Sequence, residues 1–174
     1  MEFFAQFHPK IIHFPIAFLL VYLLLELLGA IFKKDFFSKA AHLFLLFGVL
    51  GALAAVLTGN LAEDAFEGWN KTTKAIVETH STYANITLWY FTALLVIRTF
   101  LVLRKKFSNL FKYVFCVLAL VGSYFVYQTG EYGGKMVFQH GVGTQFHIKS
   151  DEMRDSLKEI ISNQQDRIDS LTSK

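Results

Sequence analysis

Ile11 to Phe32 reads IIHFPIAFLLVYLLLELLGAIF, with His13 and Glu26 as its only readily charged side chains. As a helix this stretch is about 33 Å long at 1.5 Å per residue, enough to cross a hydrocarbon layer of about 30 Å. It is too long for a signal-peptide core and lacks a basic start and a small-residue cleavage site, so it is expected to be a retained membrane helix. Three further apolar runs follow, Ala40–Leu61, Tyr83–Leu103 and Leu110–Tyr127. Together they predict an all-α polytopic protein: a four-helix transmembrane bundle over residues 1–147, then an amphipathic, coiled-coil-like helix outside the membrane over 148–174. The last run is the shortest and carries Lys112, which is expected to snorkel to the interface.

Composition agrees: 53% of the 174 residues are hydrophobic and only 2 are proline, as suits a membrane bundle with a small polar appendage. The lone cysteine, Cys116, falls mid-helix, so no disulfide framework exists, and without CxxCH a covalently attached c-type haem is excluded. Basic residues give the orientation. Lys33, Lys34 and Lys39 lie in the first connection, and Arg104, Lys105, Lys106 and Lys112 in or near the third. The opposite side carries Glu63, Asp64, Glu67 and Glu78 among fewer lysines. The positive-inside rule then places connections one and three in the cytoplasm of a bacterial inner membrane and both termini outside. The formal charge of +3 reflects this topology and gives no sign of nucleic-acid binding.

Two polar layers emerge. Glu26 lies seven residues before Lys33 and Arg98 six before Arg104, so both sit at one depth and are expected to form a structural ion pair between the first and third helices. His42 lies near the same level. The outer layer holds His8, His13, His80 and His140, four of the six histidines. Lipid packing gives no reason for imidazoles at that depth, and near-membrane ionisable groups often mark function. His8 and His13 bracket Pro9 in HPKIIHFP, His80 leads into the third helix, and His140 follows a glycine-rich stretch after the fourth, GEYGGKMVFQHGVG. Those glycines suit tight turns or close approach to a flat ligand.

The segments HPKIIHFPIAF, ALAAVLTGNLAE, the His80 stretch and YGGKMVFQHGVG resemble the bacterial predicted-membrane-protein family known as domain of unknown function 2231, over about residues 5–145. That resemblance implies a four-helix inner-membrane architecture. It supplies no activity, although relatives joined to cytochrome-like modules point towards redox work.

The residues themselves suggest a b-type haem held by two neutral imidazoles on facing helices. His13 is the expected first ligand, pinned by Pro15, with His80 or His140 as its mate and His8 bonding a propionate. Phe14, Tyr83, Trp89 and Tyr132 are candidate pocket walls. Quinol is the expected electron donor and a periplasmic redox protein the acceptor. A bare zinc, copper or iron ion could use the same histidines with Glu63, Glu67 or Glu78. No Ser-His-Asp set, HExxH or phosphate-binding glycine loop is present, so an electron-transfer or non-catalytic subunit is expected rather than a hydrolytic enzyme.

The competing expectation is a non-redox membrane scaffold. Small residues from Gly48 to Gly59 favour close packing of the second helix. In the tail, Leu157, Ile161, Gln164, Ile168 and Leu171 recur at spacings of four and three, a short heptad seam for homo-oligomerisation or partner docking.

Overall fold

The computed structural model describes residues 6–172, with side chains placed except at 145–152 and 170–172. Among the described residues six helices follow one another: α1 (His8–Ile11), α2 (His13–Phe32), α3 (Asp35–Ala65), α4 (Lys71–Leu103), α5 (Asn109–His140) and α6 (Gln145–Thr172). Four stretches, His8–Phe32 and the helices α3, α4 and α5, are long and apolar enough to cross a membrane. Each of α2 and α4 packs against both α3 and α5, which makes a ring of four antiparallel neighbours with α2 and α4 on one diagonal. The bundle therefore has a histidine end, where α2 and α4 begin, and an arginine end, where they finish near Arg98.

The helices overrun their apolar runs. At 31, 33 and 32 residues, α3, α4 and α5 reach about 46–50 Å, well past the hydrocarbon thickness. Each starts or stops close to the basic connections at the arginine end, so the excess projects from the histidine end. There α3 continues to Ala65, α4 begins at Lys71 rather than Tyr83, and α5 continues through Gly130–His140. The expected glycine-rich loop before His140 is thus helical. Its turn falls at Gly141, whose φ of 65° caps α5 in the left-handed region that glycine tolerates. Asn70 starts α4 by accepting from the Thr72 and Thr73 amides, with Thr73 reciprocating in a capping box.

Close contact within each hairpin depends on missing side chains. A Cβ on Gly48 would lie 2.5 Å from Leu19 Cδ2, and one on Gly122 would lie 2.4 Å from Phe91 Cζ. Removing bulk there lets α2 seat on α3 and α4 on α5. The core lies between, with Leu19, Tyr22, Leu45, Phe91 and Phe115 almost wholly enclosed. Tyr22 and Phe91 meet edge to face across the α2–α4 diagonal at 6.2 Å. Outward faces are apolar and open, as at Leu24, Leu50, Trp89 and Val117, the pattern of helices bathed in lipid.

At the arginine end, Arg98 is fully enclosed and Glu26 is 2% exposed. Arg98 Nη1 donates to Glu26 Oε1, and Nη2 donates to the Ser38 carbonyl at 3.0 Å and to Ser38 Oγ at 3.2 Å. The guanidinium also stacks over Phe107 and Phe115, at 4.6 and 5.2 Å from the ring centroids. The Lys112 side chain is buried along its length, and its Nζ ends 4.0 Å from Asp35 Oδ1, an exposed carboxylate at the start of α3.

The tail helix α6 starts at Gln145, three residues earlier than expected, and its Leu157, Ile161 and Ile168 are exposed. The side chain of Leu171 lies outside the described residues.

Breaking the ion pair on one side should cost far more than removing it whole. Arg98→Met or Glu26→Met alone is expected to destabilise by about 3–5 kcal/mol, since a buried charge loses its partner. The double variant Glu26→Met/Arg98→Met should recover most of that. Thermal unfolding in detergent tests this, and single variants as stable as the double would refute it.

Candidate functional site

Histidines converge at the other end of the bundle, though not the expected set. His8 Nδ1 lies 3.2 Å from Thr58 Oγ1. That hydroxyl gives its own proton to the Ala54 and Ala55 carbonyls at 2.8 and 3.2 Å, so towards His8 it accepts. His80 Nδ1 lies 2.9 Å from the Thr129 carbonyl, which can only accept. Both rings therefore carry their proton on Nδ1 and keep the Nε2 lone pair available. Anchoring one imidazole nitrogen by a hydrogen bond fixes ring orientation and raises the basicity of the other, the arrangement that ligating histidines use.

Glycines seat both rings. A Cβ on Gly59 would stand 2.9 Å from His8 Cε1, and one on Gly133 would stand 3.2 Å from His80 Cε1. The two imidazoles are near enough to interact electrostatically, and Glu63 is within similar reach of His80. Glu63 itself binds Lys74 Nζ at 3.0 Å and Ser81 Oγ at 3.2 Å, and its carbonyl accepts from Trp69 Nε1 at 3.2 Å. It closes the α3–α4 connection. Tyr83 and Tyr132 stack at 5.7 Å beside His80, between α4 and α5.

The remaining candidates lie elsewhere. His13 is exposed. Pro15, Leu19, Tyr22, Glu26 and Gly29 form the buried stripe of α2, and His13 precedes Pro15 by two residues, about 200° around the helix. Pro15 lacks the amide that would bond the Ile11 carbonyl, so one bond is missing between α1 and α2, while Ile12 keeps helical dihedrals and carries the helical path through. His140 is half-buried but sits seven residues past Gly133, about 10 Å further along α5. His42 belongs to the arginine end, where it is within electrostatic reach of Arg98 and its Nδ1 is buried without a hydrogen-bond partner. Glu67 and Glu78 are exposed, and α3 ends before Glu67, so Glu63 and Glu67 share no helical face. Phe14 and Trp89 face outward at 58% and 68% exposure. Among the described residues no three His, Cys, Asp or Glu side chains come together as a metal-binding group.

Thr58, Gly59, Thr129 and Gly133 complete the site, and an internal repeat in the sequence points to most of it. Glu26 follows His8 by 18 residues, and Arg98 follows His80 by 18. The bonded pairs His8–Thr58 and His80–Thr129 are separated by 50 and 49 residues. Gly51 and Gly59 stand in α3 where Gly122 and Gly130 stand in α5. Two helical hairpins, α1–α3 and α4–α5, thus repeat in parallel orientation, with the equivalent helices α2 and α4 facing across the centre.

This arrangement defines a multi-pass membrane protein with a two-imidazole site at one end of a duplicated four-helix bundle. The chain belongs to the predicted membrane protein family DUF2231, whose match covers residues 5–146. Neither a curated protein nor a solved structure matches the chain.

The seating of His8 makes a direct prediction. Thr58→Val should cost about 1 kcal/mol, the worth of one hydrogen bond, and Gly59→Val about 1–3 kcal/mol through crowding. In both variants, carbethoxylation of His8 by diethyl pyrocarbonate, followed by peptide mass spectrometry, should accelerate towards the rate of exposed His13. An unchanged His8 rate would show that the Thr58–Gly59 seat does not hold the ring.

Proposed function

We propose that the chain is a small electron-transfer subunit of a bacterial cytoplasmic membrane, binding b-type haem through His8 and His80 at its outer face. The observation that carries this reading is the pair of symmetry-equivalent imidazoles, each anchored through Nδ1 and seated on a glycine, with Nε2 left for a ligand. Two imidazoles are too few for zinc, which takes four ligands. His8 and His80 would suffice to hold haem iron, because the macrocycle supplies the rest of what the iron needs. A bare zinc, copper or iron ion is therefore the weaker form of the same idea. When bound, haem would supply a one-electron couple. The protein's part is to fix both ligands and wall the site with Tyr83 and Tyr132.

His13 takes no part as a ligand in this reading, and His140 is too far along α5 to replace His80. Outward orientation of this end is supported by the lysines and arginines of the opposite connections. An outer-face site suits a quinol donor in the bilayer and a periplasmic redox acceptor. A scaffold role is the second reading, favoured by the exposed Leu157 and Ile161 on α6, which suit self-association or docking on a partner helix.

An absorption spectrum of detergent-purified protein, oxidised and after dithionite, tests the proposal. The wild type should show a Soret band that sharpens and shifts on reduction. His8→Ala and His80→Ala should each abolish the low-spin spectrum, while His13→Ala keeps it. A sample that stays colourless after haem is added back, with no stoichiometric metal, would overturn the reading in favour of the scaffold.

A further inference from the structure

We infer that the arginine end holds a cluster of bound water molecules between Tyr22, His42 and Arg98, which relays protons between the enclosed ion pair and the basic face of the bundle. The inference goes beyond the haem reading and does not depend on it. It starts from three buried polar atoms, Tyr22 Oη, His42 Nδ1 and Arg98 Nε, that have no hydrogen-bond partner among the described residues. They come from three different helices, α2, α3 and α4, and Tyr22 and His42 are both within electrostatic reach of Arg98. Tyr22 and Arg98 are wholly enclosed.

Packing does not require these polar atoms. Hydrocarbon offers them nothing to bond, and a buried donor left unpaired costs free energy. At the spacing that relates Glu26 to Arg98, the counterpart of Tyr22 in α4 is Leu94, which is buried and carries no polar side-chain atom. At the spacing that relates Thr58 to Thr129, the counterpart of His42 in α5 is Tyr113, which is exposed. The second half of the bundle thus fills the place of Tyr22 with an apolar side chain, while the first half brings a phenol and an imidazole towards the guanidinium.

Water suits the three atoms together. Arg98 Nε can only donate, whereas a phenol and a neutral imidazole both donate and accept. A water that accepts from Nε still has protons to give, and Tyr22 and His42 can take them and pass others on. The remaining titratable groups facing this place are Glu26 of α2, Asp35 of α3, and Lys112 and Cys116 of α5. Glu26 meets the guanidinium and Asp35 meets the Lys112 ammonium, which leaves water rather than an ion as the occupant. Tyr22 lies eleven residues before Lys33, about 16 Å along the helix and close to the middle of a layer about 30 Å thick. Leu19 and Phe91, both almost wholly enclosed, close the way towards the histidine end. On the other side His42 is half-buried with Nδ1 enclosed, so its ring forms the step between the waters and the basic face.

Proton exchange at Arg98 reads the relay, because an enclosed guanidinium trades protons with solvent only through groups that both donate and accept. Purified full-length protein in nanodiscs, transferred to deuterated buffer, is followed by infrared spectroscopy in the arginine C–N stretches and in amide II. Arg98 is one of four arginines and supplies about a quarter of the arginine signal. In the wild type the whole of that signal should shift together while the core amides stay protonated. Tyr22→Phe and His42→Phe should each slow a quarter of it by about tenfold, the equivalent of one lost hydrogen bond. Tyr22→Phe should also lower the unfolding temperature, since a hydroxyl held by water contributes to stability whereas an orphan is better removed. Three results would overturn the inference: a wild-type Arg98 that exchanges only with the core amides, two variants that both exchange at the wild-type rate, or a Tyr22→Phe protein more stable than the wild type. The wild-type measurement decides by itself should a variant fail to fold.

Discussion

One buried contact organises the bundle, the pairing of Glu26 with Arg98 across its diagonal. Hydrocarbon offers neither group a partner, so each must reach the other or forfeit its charge. That requirement sets the depth of α2 against α4 and turns both polar faces towards the centre. Ser38, Phe107 and Phe115 then complete the surroundings of the guanidinium, while Asp35 and Lys112 add an anion and a cation near the same level. The enclosed Glu26–Arg98 pair carries no net charge, which is what allows it to lie inside a membrane protein at all, while Asp35 meets Lys112 from the exposed rim.

The same geometry explains why the histidine end is available for chemistry. Because Glu26 and Arg98 occupy equivalent positions in the two hairpins, holding them together also brings the positions 18 residues before them, His8 and His80, towards one region. Those rings are held as neutral imidazoles rather than as an ion pair, with Glu63 within electrostatic reach of His80. They are satisfied through Nδ1 by neutral acceptors, they sit on glycines where a Cβ would crowd the ring, and among the described residues no hydrogen bond engages their second nitrogens. Placement of cofactor sites between facing helices is the usual solution in bundles, and parallel repeats commonly place their sites at the repeat interface.

The sequence was legible where long-range chemistry is simple. Four spans follow from hydropathy, and the level shared by Glu26 and Arg98 follows from counting residues to the flanking basic clusters. Helix ends were not legible, because hydropathy reports the membrane while the backbone continues as helix into water at Gly130–His140 and Lys71–Thr82. The difference between exposed His13 and half-buried His8 is one of helical phase. The apolar run carries no obvious stripe when one face meets lipid and the other meets protein, so both look alike in composition. Pro15 marks the buried stripe in retrospect, and His13 lies on the opposite side of it. The repeat itself was present in the spacing of His8, Glu26, His80 and Arg98, and it singles out the two histidines without any reference to hydropathy.

Where the two hairpins differ is as informative as where they agree. Pro15 removes one backbone hydrogen bond from the first hairpin, whereas Thr87 stands at the corresponding place in α4, where its hydroxyl donates to the Tyr83 carbonyl at 2.8 Å. His80 rests one turn further along its partner helix, on Gly133, and leaves Gly130 uncovered. A symmetric bundle would have filled both glycines or neither. The open backbone at Gly130 is therefore a departure from the repeat rather than a requirement of its packing.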